Sequence, residues 1–269
     1  MKCVRSPASL RLLEVVGIRR AFASLLVVAL IILWIGRWSE IDLWLADAAY
    51  DIHSGTFPWR NAWLTDTFNH TILKRLLLLA ALGFVGYAIA DVIRPSARLS
   101  NLSRMRLRVV ASSAVLVPLV TSSLKRLSTS HCPWDLARYG GDQPYVRIFD
   151  ALPVGALPGQ CLPAGHASSA LWLVALAVYW LPRRPRTAWL AACTGVVFGA
   201  IVGFLQQLRG AHFLTHTLWS IWIACAIVLG AILLIQSRAF RPRPRHWPVG
   251  LSSRSESGRM PVNETSDAP

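Results

Sequence analysis

The chain has 269 residues, 54% of them hydrophobic and only 15% charged, with 12 Trp and a formal net charge of +15. Its apolar residues fall in uninterrupted blocks rather than amphipathic stripes, which excludes an ordinary soluble domain and predicts a polytopic membrane protein. Five Cys are too few for a disulfide scaffold.

Residues 1–20 are polar and basic, with Lys2, Arg5, Arg11, Arg19 and Arg20. An apolar run follows from Ala21 to Gly36. No small-residue cleavage pattern closes it, so it reads as a retained first transmembrane helix rather than a signal peptide. Residues 39–73 alternate polar and apolar groups. Within them, Glu40 to Tyr50 predicts a short amphipathic helix on the membrane surface, with Trp38, Trp44, Trp59 and Trp63 at the interface. Further spans are expected at roughly 76–90, 109–124 (with Pro118 as a possible kink), 167–181, 188–208 and 217–235. The longest polar connection, 125–165, is rich in Gly and Pro.

The expected fold is thus an all-α membrane bundle of six transmembrane helices. A basic arm (1–20) precedes the membrane domain (21–236), and a Pro-, Arg- and Ser-rich disordered tail (237–269) follows it. Six spans place both termini on one side, together with the 94–108 link, the 183–186 loop and most of the 28 Lys and Arg. The positive-inside rule makes that side cytoplasmic. The positive charge is then topological, with attraction to anionic headgroups, and no nucleic-acid partner is expected.

Three polar elements face the other side, each at the mouth of a span. They are Lys125 to Pro133 (KRLSTSHCP, continuing as HCPWDL), Pro163 to His166 (PAGH) and Arg209 to His216 (RGAHFLTH). His166, His212 and His216 lie within about one helical turn of the boundary. Ionisable groups so close to lipid are costly, so three at consecutive mouths point to function. His53 and His70 read as polar residues tolerated at the interface. Imidazole can serve as a nucleophile or as a proton donor near neutral pH. Helix starts at His166 and His212 would add unpaired N–H groups that favour an anion. The i, i+4 spacing of His212 and His216 is also one by which a helix offers two imidazoles to zinc, with His166 or His131 to complete the set. No HExxH glutamate accompanies it, and no metal or other cofactor is expected.

In order and spacing the three elements resemble the type 2 phosphatidic acid phosphatase superfamily, which shows Lys-x6-Arg-Pro, Pro-Ser-Gly-His and Ser-Arg-x5-His-x3-Asp. The resemblance implies a lipid phosphatase working through a phosphohistidine, without metal. It assigns His212 as nucleophile, His166 as general acid and Lys125 as the first phosphate-binding cation, with Gly165 at the phosphate. Several letters differ. Cys132 stands at one Arg position and Gln206 at the other, Ala164 replaces Ser, and His216 replaces the orienting Asp. Arg209, about one helical turn after Gln206, is the expected substitute cation, with Arg138 and Arg126 as further candidates. An alternative alignment makes His216 the nucleophile and puts Ser220 at the Asp position.

The implied partners are a lipid phosphate and the bilayer, in a bacterial inner membrane with the site facing the periplasm. Phosphatidic acid, phosphatidylglycerol phosphate, undecaprenyl diphosphate and a lipid A phosphate all present the same group to these residues. A phosphotransferase using the same phosphohistidine and a silent lipid-phosphate binder stand beside the hydrolase. Cys132 and Cys161 are the cysteines assigned to the outer face, where an oxidising compartment favours a disulfide. Such a bridge would hold the phosphate-binding loop against the His166 helix start.

Overall fold

The computed structural model describes residues 11–239. Of the tail expected over 237–269, residues 237–239 still belong to a helix and the rest lie outside the described residues, as do the first ten residues of the arm. The described residues form helices, with two isolated β-bridges and no extended strand among them. Five helices are long and apolar enough to cross a membrane: α1 (Val15–Trp38), α3 (Leu64–Ile93), α4 (Asn101–Arg126), α6 (Pro185–Leu208) and α7 (Leu214–Ala239). A short α2 (Ile41–Ala49) follows α1, and a shorter apolar helix, α5 (Gly165–Tyr179), precedes α6.

Local chemistry sets several of these boundaries. Ser100 caps α4 by accepting the Ser103 N–H at 3.2 Å, and Pro185 opens α6, where its missing N–H costs nothing. α1 starts at Val15, inside the stretch expected to be a free arm. Leu12 and Leu13 are already docked: both of their N–H groups donate to Gln236 Oε1, at 2.8 and 3.0 Å. The second apolar helix also starts earlier than its hydropathy indicates. Its first turns, Leu64–Leu73, are π-helical and carry Thr65, Asp66, Asn69 and His70. The polar letters hide the helix in the sequence, yet Thr65 and Asn69 are buried against the bundle.

The centre of the bundle is built from α4, α5 and α7, whose Val109, Val117, Leu171, Trp172, Val178 and Ala224 are almost wholly buried. α6 closes on it through glycines. A Cβ on Gly199 would stand 2.2 Å from Leu171 and one on Gly203 would stand 2.3 Å from Thr217, so side chains there would force the helices apart. α1 instead keeps Leu26, Val27, Leu30, Ile31 and Trp34 exposed, the surface expected of a helix that faces hydrocarbon. A second, smaller core forms where α2 meets the long connection: Leu43, Ala46, Phe57, Leu136, Tyr139 and Phe213. It lies directly over the residues that follow α6, and so roofs the end of the bundle where all three polar elements gather.

Candidate active site

Backbone hydrogen bonds knit the three elements together. Trp134 N–H, just past the first element, donates to Gly210 O in the third at 3.0 Å. Ala164 N–H in the second donates to His216 O at 3.0 Å. Ala164, whose methyl side chain offers no hydrogen bond, thus joins the elements through its backbone. Gly210 makes the turn out of α6 with φ +72°, and a Cβ there would also collide with the Phe57 ring at 2.4 Å. This turn sends the chain back so that His212 precedes α7 and His216 sits in its first turns.

The connection after α4 is fixed covalently. Cys132 and Cys161 form a disulfide with a Cα–Cα separation of 5.4 Å. Around it, the N–H groups of Gly159, Gln160 and Cys161 pair with the carbonyls of Thr129, Ser128 and Ser130. The bridge reaches the histidine group, because the Cys161 sulfur lies 3.4 Å from His212 Nδ1. Cys132, Cys161 and His212 would also be a metal-binding group if the sulfurs were thiolates. In the bridge they carry neither the charge nor the free lone-pair character that a thiolate offers.

His212 and His216 are both buried, with ring centroids 5.7 Å apart and their Nδ1 atoms at 3.5 Å. The Nδ1 edge of His212 thus faces His216 and the bridge, which leaves Nε2 as its free nitrogen. Burial, with His216 as the next contributor, pushes the His212 pKa well below its ordinary value, so the ring is neutral at pH 7. Phe213 packs edge-on against His216 and Tyr145, holding that ring in place. His166 faces His212 with 6.3 Å between ring centroids, and neither of its nitrogens has a hydrogen-bond partner among the described residues. Lys125, in the last turn of α4, lies within electrostatic reach of all three imidazoles. Its stem passes 4.0 Å from where a Cβ on Gly165 would stand.

The arginines divide. Arg209 is almost wholly buried and braced by three acceptors: Arg60 O at 2.8 Å, Gln206 Oε1 at 3.1 Å and Asp66 Oδ1 at 2.7 Å. A guanidinium has five N–H groups, so two remain for an anion. Arg138 instead forms a bidentate pair with Asp47 of α2, at 2.9 and 2.7 Å, and this bond holds the Asp47 carboxyl below its usual range. It braces the roof. Arg126 is exposed at the end of α4, and no hydrogen bond or ion pair ties it to the histidine group. His131 sits in the loop with Nε2 2.8 Å from Leu157 O. Ser220, the orienting residue of the alternative alignment, bonds the carbonyls of Ala164 and His216 at 3.0 Å each, so its hydroxyl proton serves the backbone.

Two contributions escape the sequence. Asp42 of α2 is buried and accepts the Thr215 N–H at 2.9 Å and the Thr215 hydroxyl, capping the start of α7 from another helix. Burial raises its pKa, against the pull of these bonds. The His70 ring packs against that of His166, tilted by 35° with 4.2 Å between centroids. Nothing in the sequence pairs Asp42 with Thr215 or His70 with His166.

The family model of the PAP2 superfamily matches residues 106–240, half of the chain. The chain belongs to the PAP2 superfamily. The match runs from within α4 to the end of α7 and takes in all three elements, while α1 to α3 lie outside it. No curated protein and no solved structure matches. As a PAP2 member with this set of apolar helices, the protein is a multi-pass membrane protein and, at the level of its family, a phosphoester hydrolase.

Proposed function

We propose that this PAP2 member hydrolyses a lipid phosphomonoester or diphosphate through a phosphohistidine on His212. The observation that carries the reading is the facing pair of His166 and His212, 6.3 Å between centroids, with Lys125 and Arg209 beside them. A phosphoryl group between the rings would meet a nucleophile on one side and an acid on the other. His212 Nε2 attacks phosphorus with its lone pair, and the ester oxygen leaves with the electrons of the P–O bond. His166, protonated as the phosphate anion binds beside it, gives that oxygen a proton. Water then attacks the phosphohistidine and the P–N bond breaks. His166 takes the proton from water, so inorganic phosphate leaves and both rings return to their starting state. Lys125 and the two free N–H groups of Arg209 balance the charge on the phosphoryl oxygens. His216, at the orienting position, shares one N–H with His212 Nδ1.

A lipid is favoured by a groove of about 440 Å³ between α1, α4 and α7, lined by Leu33, Leu124, Leu127, Pro163, Trp219 and Ile223. It lies one residue short of Ala164 and one turn from His216, so an acyl or prenyl chain in it would bring its headgroup to the histidines. In this reading α5 is the sixth crossing. Only Gly165–Leu171 are α-helical, and Trp172–Tyr179 continue as a 3₁₀ helix with its longer rise. The 15 residues then reach roughly 26 Å, close to the thickness of a hydrocarbon core of ~30 Å. Both termini would be cytoplasmic and the site periplasmic, in a bacterial inner membrane. Phosphate release from the four lipid phosphates by purified protein in detergent tests the proposal. Release that His212→Ala and His166→Ala abolish supports it. Phosphate appearing on an acceptor lipid would make the protein a transferase, and binding without release would make it a carrier.

A further inference from the structure

The two arginine positions that the superfamily pattern supplies are filled here by Cys132, held in a disulfide, and by Gln206, wholly buried. Gln206 does not simply leave a gap. Its Nε2 donates to Thr65 O at 3.3 Å, and its Oε1 accepts from Arg209. Arg209 in turn holds Arg60 O and Asp66, while Asn69 Nδ2 donates to Val202 O at 3.2 Å. Three contacts, at residues 65, 66 and 69, therefore dock the π-helical start of α3 onto the end of α6 around the altered position, and a fourth, at residue 60, holds the chain just before it. The residue after Asn69 is His70, packed against His166, and Lys74 follows one turn later.

Resting on the phosphatase reading, we propose that His70 and Lys74 complete the phosphate site, replacing the two missing arginines from outside the PAP2-matched region. Lys74 lies within electrostatic reach of His70, Lys125 and His166. Arg209 acts on His70 and His166 as well. The group thus gathers three permanent cations around imidazoles, and Asp66, the carboxylate among them, is paired with Arg209. Cations so placed repel one another at the mouth of a membrane bundle, and an anion between them relieves that repulsion. The unpartnered nitrogens of His166 mark where it would lie. Lys74 is exposed one turn after His70, positioned to meet a phosphoryl oxygen as the headgroup enters, and His70 packs against the His166 ring. The substitution at Gln206 and the recruitment of α3 are then one change: the shorter amide admits the segment that carries the replacement cation.

The test uses the full-length protein in detergent, with inorganic phosphate as the probe. Binding is read from the shift in unfolding midpoint with phosphate concentration, which needs no turnover. Lys74→Met is expected to weaken phosphate binding by about 10- to 100-fold, the usual loss for one charge-assisted contact. Lys74→Arg should restore most of it. Arg75→Met, which removes the adjacent exposed charge, should leave binding unchanged. His70→Phe should keep the packed shape but lower kcat/KM, with the loss in kcat rather than KM. If phosphate binding by folded Lys74→Met equals that of the parent protein, or falls equally in Arg75→Met, the proposal is wrong. Weakened binding in a protein that releases no phosphate from any lipid would uphold this site and overturn the phosphatase reading.

Discussion

At the scale of single residues, two buried groups differ in how their polar atoms are satisfied: His212 keeps a free ring nitrogen, while Arg209 is braced by three acceptors. Burial keeps His212 neutral, so the form that the proposed mechanism needs persists to lower pH than in an exposed histidine. We therefore expect the acid limb of kcat/KM, corrected for the substrate's own phosphate ionisation, to fall below pH about 6.5, the ordinary histidine value. A limb at or above that value would mean that a different ring attacks. The same burial acts on folding: the unfolded chain takes up a proton that the folded one refuses, so stability should drop as pH falls through about 6.5. Arg209 is the other buried group, with three of its donors already braced. Arg209→Gln should lower turnover by roughly 30- to 1000-fold, combining a lost phosphate contact with a loosened α3 segment. Arg209→Lys should fail to rescue it, because one ammonium cannot span Arg60, Gln206 and Asp66 as a planar fork does. Steady-state kinetics on both variants decides this.

At the scale of elements, the disulfide is the strut of the site, tying the loop after α4 to the strand of chain that enters α5, with its sulfur against His212. The chain-entropy model gives roughly 3–4 kcal/mol for closing a loop of this length. Cys161→Ser, or reduction of the parent protein, should lower the unfolding temperature and reduce activity together. Activity unchanged by a reductant that demonstrably frees both thiols would show that the bridge does not position the nucleophile. The sequence makes the apolar helices and the three polar elements legible because each is a local signal: a hydropathy block, a spacing, a turn. It conceals the start of α3, since Thr65, Asp66, Asn69 and His70 look like loop residues until α6 supplies their partners. Long-range pairings such as Asp42 with Thr215, His70 with His166 and Arg138 with Asp47 have no local signature. The expectation that Arg138 serves phosphate fails to foresee its bidentate partner on α2 for that reason.

For the whole molecule, the ends of α4 and α6 and the starts of α5 and α7 meet at one pole, under a roof made by α2 and the long connection. The first half of the chain is more than an anchor in this arrangement. α2 caps α7 through Asp42, and α3 brings His70 and Lys74 to the histidines. The central claim is that this pole makes a phosphohistidine on His212. The direct measurement is rapid alkaline quench of the protein turning over a labelled lipid phosphate, followed by mapping of the labelled peptide. The account predicts an acid-labile phosphoryl group on His212 that is absent in His212→Ala and gives way to inorganic phosphate in the parent protein. Label on His216, or steady phosphate release with no labelled histidine at any quench time, would contradict it.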